Sequence, residues 1–311
     1  MKKGIAIVLS IIFFIIPCFA FADQETYSNE SGMPARYLNE CPVHGTIHTD
    51  RFQQRYANND FLLVWTPYDY DTSGETKYEI ILLLNGGGGN LHNWMDDTIT
   101  VFANKHYHHV QMSNIYDWIS YEKVCKPFIV CTLNNRQEKN RISKDIIPAL
   151  SYIADNYHTY AESGEKEDII AARDHITIGG LSDGARTVYY FMSHHIEYAA
   201  NYIPLSMTRD RELNDRSFLK SIERYQILNY FGGAGKKDQH KHALTGPSDE
   251  VFYGKYAARS KYVIYPWGHD WSTWSYAIYD ALIYMFGVPR EEAVRNIAIL
   301  LIKRIWRIPV L

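Results

Sequence analysis

Cysteine is scarce in this chain of 311 residues, which contains only four cysteines. That number is too small for a disulfide framework, and a chain of this length can be stable on its hydrophobic core alone. Cys125 and Cys131 flank an apolar stretch that is typical of a strand. Six residue steps along a strand span about 20 Å, which is more than a disulfide can bridge. One pairing that involves Cys41 stays open.

The chain also lacks an excess of basic residues, because 32 Lys and Arg are balanced by 35 Asp and Glu. The net charge of -3 therefore gives no reason to expect nucleic acid or an anionic membrane surface as a partner. Hydrophobic residues make up 46% and charged residues 22%, as in ordinary globular proteins. The length fits one large domain.

The apolar run at the N-terminus, residues 4–18, is shorter than the roughly 20 residues that a membrane-spanning helix needs. Lys2 and Lys3 precede it, and the sequence AFAD follows it. This arrangement is typical of a secretory signal peptide, residues 1–22. We expect cleavage after Ala22 and a secreted, extracellular protein. A membrane anchor is the alternative.

Over most of the chain, apolar stretches alternate with helical patterns. Nearly continuous apolar strands interleaved with helices predict an α/β fold, with a mostly parallel sheet covered by helices on both faces. We expect one such domain at residues 41–287, after a loose polar lead-in at residues 23–40. The predicted strands are residues 61–67, 78–86, 128–134, 175–181, 225–233 and 261–268, and the predicted helices are residues 142–157, 184–195 and 271–287.

The C-terminal tail, residues 288–311, has apolar residues at helical spacing with Arg and Lys between them. The spacing favours a last helix that packs on the domain. A helix that associates with a membrane surface or a partner is the alternative, and it is not favoured.

The pentapeptide at residues 180–184, Gly-Leu-Ser-Asp-Gly, fits the pattern G-x-S-x-G. Such a serine sits on a sharp turn from a strand to a helix, where small neighbours are required and the hydroxyl projects from the sheet. A strand is predicted before Ser182 and a helix after it, so the context fits. The sequence therefore predicts Ser182 as a nucleophile. The structural alternative is a tight turn with an ordinary capping serine.

A nucleophilic serine needs a histidine base, and that base needs an orienting acid. The sharp turn that carries such a serine is called a nucleophile elbow, and here it is residues 180–184. In hydrolases with this elbow the chain order is serine, acid, histidine. His269 follows a predicted strand and precedes a predicted helix, and a structural capping histidine is its alternative. Asp238 follows the preceding strand, with Asp249 as its rival further along. The histidine cluster at residues 106–109 could hold a metal, but it lacks Cys, Asp or Glu at ligand spacing.

Nucleotide-binding motifs are absent, although residues 86–89 are four consecutive glycines. The Gly-Lys-Ser/Thr ending of a phosphate loop is missing, and no GxGxxG pattern opens a helix. We interpret this loop as half of an oxyanion hole, in which the backbone of Gly87 and Gly88 approaches the substrate. The backbone N–H of Asp183 is expected to supply the other half.

With these motifs in place, the sequence resembles the feruloyl esterase modules of carbohydrate esterase family one, in the α/β-hydrolase superfamily. The resemblance covers most of the chain after the signal peptide. It rests on the segments CPVHGTIHT (41–49), LLLNGGGGNLHNW (82–94), DIIPALSYIADNYHTYAES (145–163), GGLSDGARTVYYFM (179–192), GAGKKDQH (233–240) and GHDWSTWSYAIYDAL (268–282).

The resemblance implies an α/β-hydrolase fold and a serine carboxylesterase that removes feruloyl groups from plant cell-wall polysaccharide, such as arabinoxylan. It implies Ser182, Asp238 and His269 as the triad, with no metal or cofactor. The sequence departs from the family pattern at three positions: Asn85 replaces the usual histidine, Asp183 a common methionine, and Ala185 a common glycine.

A hydroxycinnamoyl ring needs a flat aromatic or apolar slot, and aromatic residues make up 14% of the chain. Trp94 and Trp271 are candidates for the walls of that slot. Trp274 is a weaker candidate, because its position on a helix equally suits the core. Two other functions stay open: an esterase for acetylated xylan or other small acyl groups, and a secreted binding protein without catalysis.

Overall fold

An eight-stranded sheet forms the centre of the computed structural model, which describes residues 31–55, 59–102, 105–108, 110–135, 139–208, 215–289, 291–293 and 295. The strand order is β1-β2-β6-β3-β7-β8-β9-β10. Strands β1 and β2 are antiparallel to their neighbours, whereas the pairs from β6 to β10 are parallel. The strands are β1 (Thr46–Gln54), β2 (Asn59–Thr66), β3 (Glu79–Leu84), β6 (Phe128–Leu133), β7 (Ile176–Leu181), β8 (Asn201–Leu205), β9 (Ile227–Gly235) and β10 (Ala257–Tyr265), and a separate hairpin has β4 (Ile99–Phe102) and β5 (Lys105–His108).

Helices connect the parallel strands and cover the sheet. The α-helices of the described residues are α1 (Met112–Glu122), α2 (Lys139–Asn156), α3 (Lys166–Ala171), α4 (Asp183–His194), α5 (Asp215–Ile222), α6 (His242–Gly254) and α7 (Trp271–Phe286). Each parallel connection needs such a crossover, because a short turn cannot return the chain to the same end of the sheet.

Two hydrophobic cores lie on opposite faces of the sheet. Strand β3 is buried along its whole length, and its side chains alternate between the two cores because successive residues of a strand point to opposite faces. Ile81 and Leu83 join the core that contains residues of α1 and α7, whereas Ile80 and Leu82 join the core that contains residues of α2 and α4. The prediction of a mostly parallel sheet with two covered faces is therefore confirmed.

Each strand and helix predicted between residues 41 and 287 has a counterpart in the structure, with bounds that differ by a few residues, whereas the helix predicted for the tail lies mostly outside the described residues. Among the observed elements that were not predicted are strand β8, the hairpin of β4 and β5, and helices α1, α3, α5 and α6. The end of the polar lead-in also differs from the expectation, because Met33 and Tyr37 are buried in the core. Tyr37 donates a hydrogen bond to Glu122 at 2.8 Å, and the hydroxyl of Ser31 donates one to Asp280 at 2.8 Å, so this part is fastened to the domain.

Several expectations concern residues outside the described part. The signal peptide (1–22) and most of the tail (288–311) lie there, as do the side chains of the histidine cluster at 106–109. The described cysteines, Cys41, Cys125 and Cys131, are all free thiols, so the pairing left open for Cys41 is not formed. In the part of the chain that the structure describes, every helix is too short or too polar to span a bilayer.

Candidate active site

Ser182 occupies a strained turn between β7 and α4. Its backbone angles, φ 52° and ψ -117°, lie in a region that residues other than glycine rarely adopt. The turn brings the chain so close to β3 that a Cβ atom on Gly184 would lie 2.4 Å from the carbonyl oxygen of Leu84. A Cβ atom on Gly180 would lie 2.8 Å from the backbone of Gly184. These contacts explain why glycine flanks the serine on both sides.

The predicted acid and base meet across two adjacent loops. His269 Nδ1 lies 2.8 Å from Asp238 Oδ2, and the other oxygen, Asp238 Oδ1, accepts a hydrogen bond from the backbone N–H of His240 at 2.8 Å. Burial raises the pKa of Asp238, but the hydrogen bond and charge of His269 outweigh burial and leave the pKa below its usual value. An ionised Asp238 holds the proton of His269 on Nδ1 and leaves Nε2 free to act as a base.

Close backbone contacts hold these two loops together. The loops follow β9 and β10, which are parallel neighbours and therefore end at the same edge of the sheet. The N–H of Lys237 donates to the carbonyl of Trp267 at 2.8 Å. A Cβ atom on Gly235 would lie 2.2 Å from the carbonyl oxygen of Gly268, so only glycine permits this approach. Asp270 caps α7 by accepting from the N–H of Thr273, which anchors the segment after His269.

The rival acid Asp249 and the neighbouring carboxylate of Asp270 have other contacts. Asp249 is buried in α6 and accepts a hydrogen bond from the hydroxyl of Tyr189 at 3.3 Å. Asp270 is engaged as the cap of α7. Asp238 is therefore the carboxylate that the structure brings to His269, as the chain order predicts.

A cavity of about 410 Å³ opens at this edge of the sheet, and both Ser182 and His269 line it. Leu181, Met207, Trp271 and Trp274 supply apolar walls. The polar part of the lining includes Asn93, Asp183, Arg186, Gln239, His240, His242 and Asp270.

The glycine loop reaches the same cavity. Gly86 lies so close to the elbow that a Cβ atom there would be 3.3 Å from Cβ of Ser182, and Gly86, Gly87 and Gly89 line the cavity. Gly88, which has a φ of +73°, makes the turn but is not among the lining residues. The position of the loop fits an oxyanion hole formed by Gly87 and the first N–H of α4, that of Asp183, which has no partner within the helix.

Asn85 holds the glycine loop in place. Its side-chain oxygen accepts from the N–H of Asn135 at 2.9 Å, and its backbone carbonyl accepts from the side chain of Asn135 at 3.1 Å. Thr187 in α4 donates to the side chain of Asn135 at 3.1 Å. This buried network links the loop to the helix that begins at the elbow, so the departure to asparagine at position 85 has a structural role.

The carboxylate of Asp183 stands beside the glycine loop, where a Cβ atom on Gly87 would lie 2.5 Å from its Oδ2. Arg186, one turn along α4, forms an ion pair with Asp183 at 3.1 Å. Both side chains are about half exposed, at 46% for Asp183 and 48% for Arg186. A negative charge near the oxyanion hole is thus accompanied by a positive one.

The two predicted tryptophans have different positions. Trp271 lines the cavity, but Trp94 is fully buried and does not, so the expectation that Trp94 forms a wall of the slot needs correction. Its indole N–H donates to the carbonyl of Leu84 at 3.0 Å, and its ring supports Trp271 edge to face at 5.1 Å. Trp274 lines the cavity, donates to Ser206 at 2.9 Å and contacts the ring of His269 at 5.1 Å.

Sequence reasoning missed Arg186, His240 and His242 as lining residues. The two histidines are separated by one residue just after Asp238, and this close spacing was the available signal. For Arg186, its place one turn after the elbow was the signal, since residues three apart share a helix face.

Known proteins with similar sequences or structures include a xylanase and feruloyl esterases. No family model matches the chain. The endo-1,4-β-xylanase Y of Acetivibrio thermocellus is 29% identical over 285 residues, an alignment that covers 81% of this chain and 24% of the xylanase. The chain therefore spans about a quarter of that relative's length.

Among solved structures, a serine-to-alanine variant of the feruloyl esterase module from Clostridium thermocellum, in complex with sinapinate, is similar with a TM-score of 0.69 and 24% identity. The match covers 83% of this chain and 94% of that one. A ferulic acid esterase from Anaeromyces mucronatus, in complex with ferulic acid, has a TM-score of 0.58 and 14% identity, over 82% and 96% of the chains. The α/β-hydrolase fold and the resemblance to feruloyl esterases are thereby confirmed.

Proposed function

We propose that this protein is a secreted serine esterase that hydrolyses hydroxycinnamoyl esters, such as feruloyl esters, of plant cell-wall polysaccharide. The observation that carries the proposal is the Asp238–His269 hydrogen bond of 2.8 Å at the wall of the cavity that Ser182 also lines. A strained serine, an oriented histidine and a buried carboxylate are the parts that acyl transfer requires. The feruloyl esterases among the similar structures support the substrate class.

The reaction proceeds in two steps through an acyl-enzyme. Nε2 of His269 removes the hydroxyl proton of Ser182 while the serine oxygen attacks the ester carbonyl carbon. The N–H groups of Asp183 and Gly87 stabilise the oxyanion. The protonated His269 then gives its proton to the leaving sugar oxygen, and the carbon–oxygen bond of the ester breaks.

In the second step a water molecule attacks the acyl carbon, and His269 takes its proton. The tetrahedral intermediate collapses, the bond to Ser182 breaks, and the serine oxygen recovers a proton from His269. Asp238 stays ionised throughout, because its role is to orient the imidazole and to stabilise its positive form.

The cavity fits a flat aromatic acyl group better than a strongly polar one. Trp271, Trp274 and Met207 give it apolar walls next to the serine. An aromatic ring prefers such surroundings and gains further energy from edge-to-face contacts with other rings. The sugar of the substrate would extend towards the open side of the cavity.

The test compares methyl ferulate with 4-nitrophenyl acetate, using the wild-type protein and Ser182→Ala. We expect turnover of the ferulate that disappears in the variant. Ser272→Ala is the matched control, because Ser272 is exposed on α7 near the site and should keep full activity. Turnover of the acetate alone would move the substrate to small acyl groups, and turnover of neither would favour a binding protein.

Export is tested separately. The full-length chain, expressed in a bacterial host, should appear outside the cytoplasm with Asp23 as its first residue. Retention of the uncleaved chain in the membrane fraction would instead favour an anchor.

A further inference from the structure

Two further histidines, His240 and His242, lie next to the Asp238–His269 pair. The ring of His240 lies 5.0 Å from that of His269, and the ring of His242 lies 5.9 Å from it, measured between ring centroids. One ring nitrogen of His242, one ring nitrogen of His269 and one carboxylate oxygen of Asp238 all lie within 4.8 Å of one another. No second group of this kind occurs among the residues that the structure describes.

His242 has no role in the proposed esterase mechanism. A single histidine, oriented by one carboxylate, is sufficient for acyl transfer. In the described part of the chain, neither ring nitrogen of His242 has a hydrogen-bond partner, although the residue is buried and lines the cavity. Its ring nitrogens are not among the fully buried, unpartnered side-chain atoms of the described residues, so they are accessible to a ligand that enters the cavity.

We infer that Asp238, His242 and His269 form a binding site for a transition-metal ion of the Zn²⁺ class, and that an ion bound there switches the esterase off. Two imidazoles and one carboxylate, with a position left for water, are a donor set that proteins use for zinc. Binding is independent of the proposed function, whereas the inhibition rests on it.

The distances require a small contraction on binding. Metal–ligand bonds of about 2.0–2.2 Å in a tetrahedral arrangement place the ligand atoms roughly 3.5 Å apart. The three ligand atoms already lie within 4.8 Å of one another, so the widest separation must close by at most about 1.3 Å. His242 begins α6 and His269 lies in the loop after β10, so side-chain rotations at the ends of two elements can provide this movement.

Metal binding and catalysis compete for the same electron pairs. An ion on Nε2 of His269 occupies the lone pair that must accept the serine proton. An ion on Nδ1 displaces the proton that His269 shares with Asp238, and this proton leaves to solvent. In either case Asp238 turns an oxygen towards the ion, so the imidazole loses its orientation and Ser182 loses its base.

The experiment measures Zn²⁺ binding by calorimetry with the wild-type protein, His242→Gln and His92→Gln. We expect one saturable site in the wild type. His242→Gln should weaken it at least tenfold, because loss of a ligand costs no less than the roughly 10–100-fold known for outer-shell partners. His92→Gln is the matched control, because His92 is a partly exposed histidine that is paired with Asp96 at 2.9 Å and does not line the cavity. Its replacement should leave the site intact.

Asp238→Asn provides a second variant, since it removes the carboxylate ligand while keeping the shape of the side chain. Circular dichroism of each variant verifies its fold. Cobalt absorption in the wild type reports on the same site without any substitution, because Co²⁺ bound to nitrogen and oxygen ligands in four-coordinate geometry absorbs visible light. Absence of a saturable site, or equal affinity in the wild type, His242→Gln and Asp238→Asn, would overturn the inference.

The second readout is ester hydrolysis with and without Zn²⁺. Zinc should inhibit the wild type over the same concentration range in which it binds, and EDTA should restore the rate. His242→Gln, measured relative to its own rate without metal, should need at least tenfold more zinc. Zinc that binds without inhibiting would refute the switch. A protein that binds zinc but hydrolyses no ester would refute the proposed function and leave the metal site standing.

Discussion

Replacing Arg186 by glutamine should slow the esterase, because Arg186 offsets a negative charge at the oxyanion hole. Asp183 donates its backbone N–H to the oxyanion in the proposed mechanism, while its own carboxylate stands beside Gly87. The partner of that carboxylate is Arg186, at 3.1 Å. Without the guanidinium, the carboxylate would repel the negative charge that develops during the reaction.

The size of the expected rate loss follows from the distance between the Asp183 carboxylate and the oxyanion and from the exposure of that carboxylate. A carboxylate on the residue that donates the oxyanion hydrogen bond lies roughly 5 Å from the oxyanion. Because Asp183 is 46% exposed, a dielectric close to that of water applies, and the repulsion is about 0.8 kcal/mol. Because Arg186 can at most offset this repulsion, its loss should lower kcat/KM by up to roughly fourfold. The estimate agrees with the 0.2–1 kcal/mol that exposed ion pairs contribute.

The assay is kcat/KM for an uncharged ester in wild type, Arg186→Gln, Arg186→Lys, Asp183→Asn and the double variant, at low and high salt. Arg186→Lys keeps the charge and should keep most of the rate. The double variant should recover the rate lost in Arg186→Gln. High salt should narrow the difference in kcat/KM between the wild type and Arg186→Gln, because it screens the charges. Equal rates for Arg186→Gln and Arg186→Lys, or a double variant as slow as Arg186→Gln, would refute the electrostatic reasoning.

Two further predictions concern the turn at Ser182 and a partly buried histidine. Gly184→Ala should destabilise the protein by about 2 kcal/mol or more and remove activity, because its Cβ atom would meet backbone oxygens at 2.4 and 2.7 Å. Gly32→Ala, where nothing lies within 4 Å, should unfold like the wild type in urea, and equal stability of the two variants would contradict the steric argument. Burial, helped by the nearby charges of His194 and Lys144, lowers the pKa of His195 to about 4, so the unfolded chain binds a proton below pH 6.5 that the folded chain does not. Stability should therefore fall as the pH drops from about 6.5 to 4, by at most about 1.4 kcal/mol per pH unit from this group. His195→Phe should flatten that part of the curve of unfolding free energy against pH, and an unchanged slope would show that other groups cause it.

Local patterns in the sequence predicted the parallel core of the fold well. The strands that became β3, β6 and β7 are continuous apolar runs, because both faces of the sheet are covered. Strand β8, Asn201–Leu205, was missed because it has only five residues and contains Pro204, a residue that is unfavourable in the middle of a sheet. Its neighbours in space, β7 and β9, stabilise it nonetheless.

The residues of the site were predictable to a similar extent. The elbow has a local signature, so Ser182 could be chosen from the sequence, and the chain order of the fold pointed to Asp238 and His269. Their catalytic roles remain predictions until the variants are measured. Trp94 and Trp271 could not be told apart, since both are aromatic residues near motifs, and only the packing shows that one supports the other.

The sequence by itself determined the apolar strands of the parallel core, the strained turn at Ser182 and the order of the three candidate catalytic residues, because these depend on neighbours along the chain. The tertiary structure alone decided which groups share the cavity. His242 meets Asp238 and His269, Arg186 meets the charge beside the glycine loop, and Met33 and Tyr37 join the core. Such contacts join residues from different elements, and their distances depend on how those elements pack, which no local pattern records.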